Sequence, residues 1–190
     1  MEFSESFTRL LSIATVLGNV LSFLLLLAFL FARPVFRRVM FLLGEYGVAV
    51  GALLATGATV GSLVYSEVVG FAPCILCWIQ RAFIYPQMLF LLLATRFATH
   101  LLVWTSFIFS LLGGAVALYN WAKDMLALYS DISLACPVVP GMPSCDRIYV
   151  LEYGYVTIAM FSLNICILLG ITLYAVIRKE HFRDASPVVS

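Results

Sequence analysis

The residues able to do chemistry are cysteines in two close pairs: Cys74-Ile-Leu-Cys77, and Cys136 and Cys145 at the ends of a proline-rich segment. A C-x-x-C serves zinc sites, redox centres or structural disulfides. Zinc needs two further ligands. Cys136 and Cys145 could supply them, but their wide spacing is not that of a zinc knuckle, and His100 and His181 fall on the opposite side of the chain's path. A redox role has a physical basis in Cys77, at or near the first turn of a helix, where unpaired N–H groups and the dipole favour a thiolate. Arg81 follows one turn deeper on the same face, roughly 6 Å along the axis. An arginine at that depth either faces a polar cavity or partner, or snorkels to the interface. Cys166 sits among apolar neighbours, which make a thiol inert, and reads as structural.

These side chains must be positioned by membrane helices. Of 190 residues, 63% are hydrophobic and 11% charged, and mean hydropathy is +1.05. That excludes a soluble enzyme, because a domain of this size could not bury so much apolar surface. A net charge of +1 leaves no excess for a polyanion, so no nucleic acid is expected.

Windows 10–32, 46–66, 97–122 and 153–177 carry no Lys, Arg, Asp or Glu, and a shorter one, 82–95, must extend back through Arg81 to 75. Each then reaches the roughly 20 residues that a span requires. The expected fold is an all-α polytopic membrane protein. Arg33, Arg37, Arg38, Arg96, Arg178, Lys179 and Arg183 collect on one side, against Arg9, Lys123 and Arg147 on the other. The positive-inside tendency therefore puts the N-terminus and both cysteine segments outside and the C-terminus in the cytoplasm. The first window is too long for a signal-peptide core and lacks an A-x-A site, so it reads as a retained helix.

Several local expectations follow. Residues 33–40 form a short basic turn, because Pro34 cannot continue the preceding helix. Gly47/Gly51 and Gly57/Gly61 allow close helix packing. Glu45 is a helix-end anion within reach of Arg37 or Arg38. Within the outer segment 123–152, residues 125–134 form a helix-like stretch able to lie along the membrane surface. The segment from Cys136 to Cys145 is an exposed loop, and the tail after His181 is disordered.

The motif Cys74-Ile-Leu-Cys77-Trp-Ile-Gln-Arg81, the second outward cysteine pair and the Tyr153-Gly-Tyr-Val-Thr-Ile entry to the last span resemble the DsbB family of membrane disulfide-forming oxidases, over about residues 45–177. The short Cys136–Cys145 spacing is similar to the Gram-positive and archaeal branch called BdbC. The resemblance implies a monomeric four-helix transmembrane bundle at 41–178, with residues 1–40 adding an extra N-terminal transmembrane helix and 179–190 a cytoplasmic tail. It further implies that the protein takes electrons from a DsbA-like thioredoxin-fold partner and passes them to a membrane quinone, ubiquinone or menaquinone. Cys136 would form the mixed disulfide, Cys145 would exchange with Cys74, and Cys77 would adjoin the quinone. Arg81, Trp78 and Gln80 would flank the quinone head group, Trp78 equally serving as an interfacial anchor. Tyr85 and Met88 would continue that stripe, as groove lining or as plain packing.

Two other functions compete. A vitamin K epoxide reductase-like protein also couples outward thiols to quinone, but its loop pair precedes the C-x-x-C. A non-catalytic membrane subunit with structural disulfides would show no quinone-dependent turnover.

Overall fold

The computed structural model describes residues 2–97, 100–130, 132, 134–137, 139–145 and 147–185. Its helices are α1 (Glu2–Phe31), α2 (Arg33–Leu63), α3 (Ile75–Phe97), α4 (His100–Tyr129) and α5 (Ile158–Ala185), with a π-helical turn at Val64–Val68. All five are long and apolar enough to cross a membrane. The chain is a multi-pass membrane protein, and the large apolar side chains it leaves exposed, such as Leu17, Leu53, Phe97 and Leu101, face outward where lipid would lie.

Helices α2 to α5 pack in sequence, and α5 closes back onto α2 to complete a four-helix bundle, while α1 lies outside against α2 and α5. The core joins Ala52 and Ala55 of α2 to Leu91 of α3, Val103 of α4 and Leu169 and Leu173 of α5. Small residues set its tightest seam. A Cβ at Gly47 would stand 2.5 Å from Val176 Cγ2, so only glycine admits α5 there. In hydrocarbon, buried polar groups must satisfy one another. The Ser110 hydroxyl accordingly donates to Gln87 Oε1 at 2.9 Å, tying α4 to α3.

The structure departs from the sequence expectations at several ends. The basic turn at 33–40 is helical, and only Ala32 separates α1 from α2, because Pro34 occupies the first turn, where its missing N–H costs no hydrogen bond. Residues 125–129 continue α4 instead of forming a separate helix, 130, 132 and 134 are not helical, and 131 and 133 lie outside the described residues. The last helix begins at Ile158, not Tyr153. Tyr153 and Gly154 have φ of 51° and 77°, forming a tight turn closed by pairing of Glu152 with Val156. Glu45 pairs with Lys179 of α5 rather than with Arg37 or Arg38. A Cβ at Gly57 would meet nothing within 4 Å and one at Gly61 would meet Leu11 Cδ1 at 3.8 Å, so this pair lines a cavity instead of a tightly packed seam. Helix α5 runs to Ala185, through residues expected to be disordered, while residues 186–190 lie outside the described residues.

Candidate active site at the cysteine end of the bundle

Helix α3 starts at Ile75, which makes Cys74 the capping residue and Cys77 the third residue of the first turn. The Cys77 backbone N–H donates to Cys74 Sγ at 3.4 Å, and the two sulfurs are 2.8 Å apart. The orphan amide of the helix end therefore serves Cys74, not Cys77 as the spacing alone suggested. The Cys77 thiol, hydrogen-bonded to Cys74, holds the Cys74 thiol down to about 6. Burial opposes this, while the N–H groups of Cys77 and Leu76 and the Lys123 ammonium reinforce it.

Cys136 and Cys145 form a disulfide, with Cα atoms 6.2 Å apart, across a loop turned at Gly141 (φ 84°). Cys145 is buried in one cluster with Cys74 and Leu76, and Cys77 and Cys136 pack at its margin. Both pairs thus share one end of the molecule. Lys123 secures this junction: its ammonium, fully buried, donates to the Cys145 carbonyl at 2.6 Å and pairs with Asp124 at 3.1 Å. Hydropathy alone places Lys123 just beyond span four and gives it no role in the site. Its signal was the polar run Asn120, Lys123 and Asp124, on one face at the end of an apolar window.

Cys77 also lines a second feature, a cavity of about 250 Å³ bounded by α1, α2, α3 and α5. Gln80, Arg81 and Tyr85 line it from α3. The Arg81 guanidinium donates to the Ser62 carbonyl at 3.1 Å and lies 5.3 Å from the Trp78 ring centre and 5.9 Å from that of Tyr85. The Tyr85 hydroxyl donates to Ser62 Oγ at 3.1 Å. Trp78 is half-exposed and covers Arg81 from outside the cavity wall, and Met88 packs against the core. Gln80 is buried, and its Nε2 has no hydrogen-bond partner. Tyr65, Phe71 and Tyr149, none of them singled out from the sequence, stack as a ladder at 5.7 and 4.6 Å beside it.

A mostly apolar cavity with an arginine, an orphaned amide donor and stacked rings suits a flat, lipid-soluble molecule bearing acceptor oxygens. The residues present fit a quinone on those grounds. Cys166 is elsewhere, buried between α4 and α5 against Gly113 and Gly114.

Comparison with known proteins gives matches over the same region. The family described as disulfide bond formation protein DsbB matches residues 45–177. A Bacillus cereus protein named "Probable disulfide formation protein C" is 34% identical over 123 residues, covering 65% of this chain and 86% of its own. The Bacillus subtilis "Disulfide bond formation protein C" is 31% identical over 138 residues, covering 70% and 89%. No solved structure matches significantly.

Proposed function

Because the chain belongs to the DsbB family of disulfide bond formation proteins and is thereby a membrane thiol–disulfide oxidoreductase, we propose that it reoxidises a DsbA-like thioredoxin-fold partner and delivers the electrons to a membrane quinone. One observation carries this reading: a single cysteine pair reaches both ways. Cys74 shares a buried cluster with Cys145, and Cys77 lines the cavity that Arg81 also lines.

In this scheme a partner thiolate attacks Cys136 Sγ and expels the Cys145 thiolate. The partner's second thiolate then breaks the mixed disulfide, leaving oxidised partner and a Cys136 thiolate. Cys145 attacks Cys74 of an oxidised Cys74–Cys77 pair and expels the Cys77 thiolate. Cys136 next attacks Cys145, restoring the loop disulfide and releasing Cys74 as a thiolate. Two electrons have then moved from the partner to the Cys74/Cys77 pair.

A bound quinone, ubiquinone or menaquinone, would supply a two-electron, two-proton acceptor. Arg81 and Gln80 would hold its oxygen, Arg81 stabilising negative charge there and on Cys77. Ser62 and the rings of Trp78 and Tyr85 keep the guanidinium beside Cys77 rather than snorkelling away. The Lys123 contact keeps the Cys145 end of the loop against Cys74. The cysteine end is assigned to the outer face of a prokaryotic cell membrane, the basic ends of α2 and α5 to the cytoplasm.

The test is turnover of detergent-solubilised protein with a reduced DsbA-like partner and a short-chain quinone, following partner thiols and quinone absorbance together. Stoichiometric loss of both is expected. A Cys74→Ser/Cys77→Ser double variant is expected to oxidise at most the one equivalent of partner that its loop disulfide can serve; repeated quinone-dependent turnover by that variant would overturn the scheme.

A further inference from the structure

Helix α1 lies outside residues 45–177, the part of the chain that matches the family, yet it forms part of the cavity wall through Leu11 and Thr15. Its docking is built from polar contacts at two levels. The Tyr65 hydroxyl donates to Thr8 Oγ1 at 3.2 Å, with Phe7 edge-on to the Tyr65 ring. Eleven residues on, roughly 16 Å along the helix, Asn19 Oδ1 accepts from Asn164 Nδ2 of α5 at 2.6 Å. Gly18 fits against that same amide so closely that a Cβ there would stand 2.3 Å from Asn164 Oδ1.

Such side-chain hydrogen bonds fix rotation and depth in a way that apolar lipid-facing contacts do not. The rotation they impose turns small or polar Ser12, Thr15 and Gly18 inward, and Leu10, Leu17 and Leu21 outward. Leu11, between the two docking levels, reaches over Gly61, where α2 has no side chain of its own to close the space.

We propose that α1 is an acceptor-selecting wall of this oxidoreductase: seated against α2 and α5, it closes the flank of the Cys77/Arg81 cavity and sets which ring-bearing, lipid-soluble acceptors are held there. The proposal rests on the quinone reading above. It assigns Leu11 and Thr15 direct contact with the bound molecule and Asn19 a positioning role.

The test uses full-length protein in detergent micelles and short-chain ubiquinone and menaquinone as probes. It measures binding by quenching of tryptophan fluorescence, and separately one quinone-free round of partner oxidation. Thr15→Phe intrudes into the cavity and is expected to weaken binding about tenfold or more. Leu11→Ala enlarges the cavity and should shift the affinity ratio between the two quinones. Leu17→Phe, on the outward face of α1, should leave binding unchanged. Quinone-free partner oxidation should stay at the wild-type level in all three. If Thr15→Phe does not fold, the ratio in Leu11→Ala decides alone. Wild-type affinities in both Thr15→Phe and Leu11→Ala would overturn the role of α1 while leaving the quinone reading intact. Absence of binding by the wild-type protein would overturn both.

Discussion

Cys74 accepts the backbone N–H of Cys77 at its sulfur, so the N-terminus of α3 and the thiol of its neighbour act on the same atom. In the reduced protein that arrangement makes Cys74 the more acidic member of the pair. It also shares a buried cluster with Cys145, with Cys77 at the margin of that cluster.

Alkylation of Cys74 in the reduced protein should titrate near pH 6, where its thiol is held. Replacing Cys77 by alanine removes the largest cause and should move the midpoint up strongly, whereas Lys123→Met should move it up less. The sign for stability follows from the same shift. Between about pH 6 and the usual thiol range the folded chain binds fewer protons at Cys74 than the unfolded one, so this group's contribution grows as pH rises and is lost below about 6. Thermal unfolding of reduced protein at several pH values checks the direction.

Arg81→Met should slow quinone reduction by about a hundredfold, the scale of losing one preorganised charge donor. One quinone-free exchange with the partner should be unaffected. Arg81→Lys should recover only part of the rate, because an ammonium lacks the planar fork that donates to the Ser62 carbonyl while resting within 6 Å of the Trp78 and Tyr85 ring centres. Stopped-flow absorbance of the quinone separates these outcomes.

Lys123→Met removes one partner of a buried ion pair together with the donor to the Cys145 carbonyl. A loss of about 3–5 kcal/mol is expected. Lys123→Met/Asp124→Leu should recover most of that stability yet still exchange Cys145 with Cys74 slowly, because the loop loses its anchor. Denaturant unfolding and quenched-flow thiol trapping read the two effects independently.

Cys136→Ser should block oxidation of the partner at the first encounter. Cys77→Ser should still allow a mixed disulfide between Cys136 and the partner while abolishing quinone reduction. Non-reducing electrophoresis and quinone absorbance distinguish the two variants.

Most of the frame was legible in the sequence because membrane spans announce themselves by length and lack of charge, and because Cys77 and Arg81 are spaced by one helical turn. The ends were less legible. Pro34 starts a helix or stops one depending on whether its N–H is needed, which composition does not reveal. The turn at Tyr153 and Gly154 depends on Tyr129, whose hydroxyl donates to the Gly154 carbonyl from another helix. Asn19 and Asn164 could not be matched across their wide separation, nor could Lys123 be assigned to a carbonyl on a loop. Such contacts are decided by packing between distant segments. The capping role of Cys74 turned on a single residue in the start of α3, finer than hydropathy resolves.

The electron path is tested most directly by the disulfide it requires between its two halves. In a Cys77→Ser/Cys136→Ser double variant, Cys74 and Cys145 keep no other partner at their end of the bundle. Air oxidation followed by non-reducing peptide mass spectrometry should find Cys74 joined to Cys145 in most of the protein. Recovery of both as free thiols, or of either joined instead to Cys166, would contradict the path.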